Sequence, residues 1–205
     1  MDDPSLEECE RERDADNIAW LQRAGPDDWH RAALDFNWGN PLYVIDWIVR
    51  QDDCDIATAL TIFWLGEPTY FIEEMQARTG EPDGYSDLNR SICAYVAHRV
   101  AAGGYKRSRI AFTPDVFTKQ EYMELVAAEK ALACPNFRAH RSLICKRRGR
   151  EVVNDRPFYD RYPERFHCTV LIDLAPPDSR TAALMASVRS IEEKTRKLLP
   201  AWLRK

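Results

Sequence analysis

Cys54-Asp55-Ile56-Ala57-Thr58-Ala59-Leu60-Thr61-Ile62-Phe63-Trp64-Leu65-Gly66 is the stretch on which the fold turns. Asp immediately before an apolar run is a strong N-cap, because its carboxylate accepts a hydrogen bond from a first-turn amide that has no partner in the helix. Ile56, Ala59, Leu60 and Phe63 then recur at the spacing of one helical face, and Gly66 closes the helix at Leu65. The same punctuation repeats on both sides. Upstream, Gly25-Pro26 is a helix stop followed by a helix start; Asp27 and Asp28 suit the positive end of the new helix, and Trp29, Ala33 and Phe36 share its face. Asn40-Pro41 reads as N-cap and first helical residue for the stripe Leu42, Ile45, Ile48 and Val49. Farther back, Ser5 with Glu8 forms a capping-box pattern. Residues 7–16 are almost all charged and read as a frayed, solvated helix before Ile18, Trp20 and Leu21 begin the apolar signal. Downstream, a short helix is expected from Pro68 to Arg78, closed by Gly80. Glu81-Pro82-Asp83-Gly84 has turn chemistry. Ser86 should start a longer helix carrying Leu88, Ile92, Tyr95, Val96 and Val100, stopped by Gly103-Gly104.

Beyond the double glycine the pattern changes. Tyr105 to Phe112 reads as a short strand or an irregular connection, and Thr118 with Glu121 as the cap of a helix reaching about Ala133. Ser142–Cys145 and Glu151–Val153 flank Lys146-Arg147-Arg148-Gly149-Arg150, a hairpin pattern with Gly149 near the turn. Phe166 to Leu174 is the best strand candidate. After Pro176-Pro177, Asp178 or Ser179 should cap a last helix to about Leu199, with Leu184, Val188, Ile191 and Leu198 inward. The expected fold is mainly α, of α+β class: a helical bundle-like body with a small antiparallel β element in the C-terminal third. Its divisions are an acidic extension over 1–16, an acidic helical body over 17–137, and a basic part over 138–205 packed on that body. Trp20, Trp29, Trp38 and Trp47 fall nine residues apart, but the intervening segments share nothing else, so no repeat follows.

With 45% hydrophobic and 30% charged residues in 205, the chain has enough apolar material for a core, which excludes wholesale disorder. No apolar run approaches the roughly 18 residues of a membrane span. Met1-Asp2-Asp3 offers no basic or apolar signal region. Cys9, Cys54, Cys93, Cys134, Cys145 and Cys168 lack paired spacing, which suits reduced thiols and a cytoplasmic location. The net charge of -4 hides a polarity. Residues 1–137 carry 25 acids and 13 bases (-12), and residues 138–205 carry 8 acids and 16 bases (+8). Either the two parts attract each other or each has its own charged partner.

Trp29-His30-Arg31-Ala32-Ala33, Asn37-Trp38, Ile45-Asp46-Trp47-Ile48-Val49 and the Cys54–Trp64 run, with its Cys54-Asp55 followed by Thr58-Ala59-Leu60, together resemble the bacterial domain of unknown function 4274, over about residues 26–80. The resemblance implies a short helical module with no assigned reaction. Where that family commonly has an acid after the Asn-Trp pair, this chain has Gly39, so no carboxylate stands there. The motif also has a structural account of its own: Asp55 as cap, Thr58 as a first-turn hydrogen bonder, Ala59 as a site of close helix packing.

No reaction signature emerges. H-E-x-x-H and paired cysteines are missing, and Cys134, His140, Cys145, His167 and Cys168 do not have finger spacing, so no metal and no cofactor are expected. Gly103-Gly104 before Lys106 lacks P-loop spacing, and Gly-x-Ser-x-Gly is absent. Asp52, Asp53 and Asp55 lack the alternation of a calcium loop. The catalytic set is therefore none. A non-catalytic protein-binding protein is expected, of the kind exemplified by immunity proteins that neutralise a bacterial toxin or effector encoded nearby, with no membrane contact. Asp27, Asp28, Asp52 and Asp53 are the acidic residues expected to meet such a partner. Two alternatives stand beside it. One is an enzyme acting on an anionic substrate through His140 or His167 with nearby arginines. The other is nucleic-acid binding at Lys146, Arg147, Arg148 and Arg150, disfavoured by the net charge and by the lack of any named nucleic-acid motif. Neither the oligomeric state nor the binding face follows from the sequence.

Overall fold

The structure, a computed structural model, describes residues 6–73 and 84–161. It is mainly helical. In chain order the elements are α1 (Leu6–Leu21), α2 (Pro26–Leu34), α3 (Tyr43–Arg50), α4 (Ile56–Leu65), the single turn α5 (Pro68–Phe71), α6 (Gly84–Ala101), α7 (Val116–Ala131), a 3-10 turn (Arg141–Ile144) and α8 (Arg156–Arg161).

The helix read from Asp55 to Gly66 forms with those bounds, and it is the centre of the molecule. Ile56, Ala57, Thr58, Ala59, Leu60, Ile62, Phe63 and Trp64 are all buried, more than one face's worth. A helix apolar all round has to be surrounded, and α2, α3, α5 and α6 surround this one. Each fully buried Leu, Ile or Phe here contributes about 1.5–3 kcal/mol of transfer free energy. Rings extend the core outward: Trp29 meets Trp47 edge-on at 5.4 Å, and Phe63 meets Phe137 at 5.7 Å. Trp64 donates its indole N–H to the Leu143 carbonyl at 2.9 Å, which ties the 3-10 turn to α4.

The ends of several elements differ from expectation. α3 starts at Tyr43 rather than Pro41; Leu42 stays outside the helix and is buried. α5 ends at Phe71, where the fully buried Ile72 gives its carbonyl to the Asn136 amide at 2.8 Å; residues 74–80 of the helix expected to Arg78 lie outside the described residues. α6 begins at Gly84, two residues before Ser86. The N-cap of α7 is Asp115, whose Oδ1 accepts from the Thr118 amide at 2.8 Å and hydroxyl at 2.7 Å. The Thr118–Glu121 pattern was a competing signal one turn too late. α1 is helical from Leu6, and Asp14 and Asn17 on it are buried, so this charged stretch is not wholly solvated.

Among the described residues the expected antiparallel β element does not form; no strand occurs, only three isolated bridges. Residues 142–145 do not pair with 151–153. They enter the 3-10 turn, whose Leu143 is fully buried. Residues 147–150 instead cross the 109–112 segment through four backbone hydrogen bonds: Ala111 N–H to Arg150 O (2.8 Å), Phe112 N–H to Arg147 O (3.1 Å), Arg147 N–H to Phe112 O (2.8 Å) and Arg150 N–H to Arg109 O (3.0 Å). Gly149 permits the crossing, since a Cβ there would fall against the Arg109 carbonyl. The Ser5 cap, the turn at 81–83, the 166–174 strand and the helix after Pro177 lie outside the described residues.

Candidate functional site

The motif residues converge in the interior. Asp55 is 1% exposed, and its two oxygens serve two segments. Oδ1 accepts the Ala57 amide at 3.0 Å as the cap of α4, while Oδ2 accepts the Arg109 amide at 2.6 Å and the Ile110 amide at 3.2 Å. Arg107 Nε stands 4.0 Å from Oδ2. One turn along, Thr58 Oγ1 lies 3.1 Å from Nδ1 of His30, which α2 brings inward; both residues are buried. Burial pushes the His30 imidazole down to about 4 from its ordinary 6.5, against the opposing pull of Asp55 and Asp27. His30 is therefore neutral near pH 7. Asp, Thr and His here resemble a catalytic set in type only. The carboxylate is engaged by backbone amides and enclosed, so its chemistry is to hold the 107–110 segment onto the start of α4.

Residues 24–91 are similar to the family model described as Domain of unknown function (DUF4274). No curated protein and no solved structure matches the chain. The DUF4274 segment includes α2 to α5 and the first part of α6, and so contains His30, Asp55 and Thr58. Its Asn37-Trp38 pair is also structural in geometry: Asn37 Oδ1 accepts the Gly39 amide at 3.0 Å, and Trp38 packs edge-on against Phe36 at 5.8 Å. A shallow cleft of about 250 Å³ opens on the DUF4274 segment, lined by Trp38, Glu67, Tyr70, Ser86 and Asn89 beside Gly66. Glu67, the carboxylate among these residues, holds a left-handed backbone there at φ 52°.

The four acidic candidates separate into two pairs. Asp27 forms an ion pair with Arg150, and Asp28 accepts from Arg31 and Arg161, each at 3.0 Å. Arg31 continues the seam by donating to the Val153 carbonyl at 3.0 Å. The N-terminal turn of α2 thus receives Arg150, Val153 and Arg161 from the described part of the basic stretch. Asp52 and Asp53 remain exposed on the α3–α4 loop, where Arg99 reaches Asp52 at 3.4 Å. The basic candidates divide as well. Arg150 is engaged by Asp27 and Arg147 donates to the Ser142 carbonyl at 3.1 Å, whereas Lys146 and Arg148 are exposed.

The remaining candidates are spread out. Burial raises the Cys54 thiol to about 12 and pushes Cys93 higher still, so neither supplies a thiolate near neutrality. His140 is exposed and caps the 3-10 turn, its Nδ1 accepting the Ser142 amide at 3.2 Å. His167 and Cys168 lie outside the described residues. Among the described residues no group of three or more His, Cys, Asp or Glu side chains stands close enough to hold a metal, and no helix is long and apolar enough to cross a membrane. One surface outside the DUF4274 segment was missed by sequence reasoning. On α7 only Leu125 is buried, while Val116, Phe117 and Met123 are 74%, 80% and 66% exposed. The spacing of Val116 and Met123, which fall on the side of α7 opposite Leu125, was the available signal; Phe117 stands beside them in the first turn.

Proposed function

We propose that this is a non-catalytic protein-binding protein working in the cytoplasm, and that α7 is its contact element. The observation that carries the reading is the exposure of Val116, Phe117 and Met123 on a helix that buries Leu125. Aromatic and thioether side chains with little packing of their own are the usual anchors of interfaces. Glu124 and Lys119 beside them give the face a polar rim of both signs. A toxin or effector encoded nearby is the kind of partner that fits, with this chain as its immunity protein. Asp52 and Asp53 are a second, purely polar place for such contact.

The test is co-purification with the product of a neighbouring toxin-like gene and rescue of cells expressing it. Phe117→Ala with Met123→Ala should weaken that complex at least tenfold while leaving the unfolding midpoint nearly unchanged, because surface truncations cost within about 0.5 kcal/mol. No complex and no rescue, or a complex indifferent to both substitutions, would sink the reading.

A further inference from the structure

The crossing of 147–150 over 109–112 brings together two basic segments that the sequence keeps almost forty residues apart. Lys106, Arg107 and Arg109 come from the first, and Arg138, Arg141, Lys146, Arg147, Arg148 and Arg150 from the second; neither 105–112 nor 138–150 contains an acid. Three of these nine are neutralised locally: Arg107 by Asp55, Arg138 by Glu129 and Arg150 by Asp27. Arg147 is half-buried and donates to a carbonyl. Lys106, Arg109, Arg141, Lys146 and Arg148 are exposed, and none pairs with a carboxylate among the described residues.

We infer that this ledge, with Arg109, Lys146 and Arg148 at its centre, binds the phosphodiester backbone of a nucleic acid. The backbones of the two segments are hydrogen-bonded to each other at 2.8–3.1 Å, so Arg109 and Arg148 stand on adjacent segments of the chain. Exposed cations carried on two hydrogen-bonded segments suit a polyanion with one charge per about 3.4 Å of each strand. Arginine forks also take phosphate oxygens two at a time. A phosphate backbone fits better than an acidic protein because the ledge has almost no apolar centre. None of the exposed large hydrophobic side chains lies within 109–112 or 147–150 themselves; Val153 follows the second segment by three residues, and Val116 and Phe117 follow the first by four and five, on α7. Protein interfaces carry such a centre. Phe158, an aromatic that would otherwise offer a stacking platform, is buried against Trp20, so binding rests on phosphate contact and is insensitive to sequence. The net charge does not oppose it locally, because neither segment contains an acid and Asp27 and Asp28 are already covered by Arg150, Arg31 and Arg161.

The experiment is fluorescence anisotropy of the full chain with a labelled 20-base-pair duplex of random sequence in 50–200 mM salt. Binding on the order of micromolar at the lowest salt is expected, with a log–log salt slope of about -3, as for contact with three or four phosphates. Arg109→Glu with Lys146→Glu and Arg148→Glu should abolish it. The single change Arg148→Gln should reduce the slope by about 1, which keeps the test alive if the triple variant fails to fold. Arg138→Ala, removing a base already paired with Glu129, should change little. Absence of salt-dependent binding, or binding unaffected at Arg148, overturns the inference. Displacement of the duplex by polyglutamate at equal charge concentration also overturns it and assigns the ledge to an acidic protein. Phe117→Ala with Met123→Ala should leave duplex binding intact, so this inference and the protein-binding reading fail separately.

Discussion

His30 is a base whose folded environment favours its neutral form. Its pKa is about 4 in the fold against 6.5 unperturbed, so between those values the unfolded chain binds more protons than the native one. Stability is then complete above about pH 6.5 and falls as the pH drops through the window to about 4. The full loss is about 3 kcal/mol, at roughly 1.4 kcal/mol for each tenfold change in proton affinity. Urea unfolding at pH 7 and pH 4.5 measures it; His30→Gln should flatten the difference attributable to this residue, and an unchanged difference would assign the pH dependence to the carboxylates. Asp55 shows how far one residue's role was legible. Its cap on α4 follows from an Asp before an apolar run. Its second oxygen, bonded to the amides of Arg109 and Ile110, does not, because no local pattern tells a carboxylate which amides more than fifty residues away will be left without partners.

At the level of elements, helices were legible where cap and stripe agreed, as in α2 and α4. The hairpin was not, because its signals were short and local while the alternatives were long-range. Burial of Leu143 in a 3-10 turn and pairing of 147–150 with 109–112 bring core packing and four hydrogen bonds, which a solvent-facing hairpin could not match. Gly149 carries that choice. Gly149→Ala should push the Arg109–Ile110 backbone away and cost about 1–3 kcal/mol, the range for overpacking a closed contact. Hydrogen exchange should then rise at the Ala111 and Phe112 amides while Ala59 and Leu60 in α4 remain protected. Equal loss of protection in both places would mean that the crossing is not a separable unit.

At the level of the molecule, the charge polarity is partly resolved inside the fold. The pairs of Asp27 with Arg150 and Asp28 with Arg161 join α2 to the basic part, but Arg150 and Arg161 are each more than half exposed. Exposed pairs contribute about 0–1 kcal/mol each and are screened by salt. Asp27→Asn with Asp28→Asn should thus shift the thermal midpoint by only a few degrees at low salt and by less at 1 M salt. A collapse of the fold would instead make that seam a main source of stability, contrary to the apolar account. The sequence placed the opposing charges in the two parts; it left open whether they would meet, and it offered no way to see which bases would remain uncovered.

By itself the sequence determined most of the helices, the start of α2 at Gly25-Pro26 and the cap of α4 at Asp55, the apolar centre at Ile56–Leu65 and the division of charge. These are properties of neighbours in the chain, set by helical periodicity and by a few polar residues at helix ends. Tertiary structure decided the second partner of Asp55, the neutral state of His30, the crossing that replaced the hairpin, the pairing of Asp27 and Asp28, and the exposed faces at α7 and around Arg148. Each depends on which distant groups share a buried space or a hydrogen bond, and burial strengthens electrostatics and penalises unpaired amides only after the chain has closed on itself.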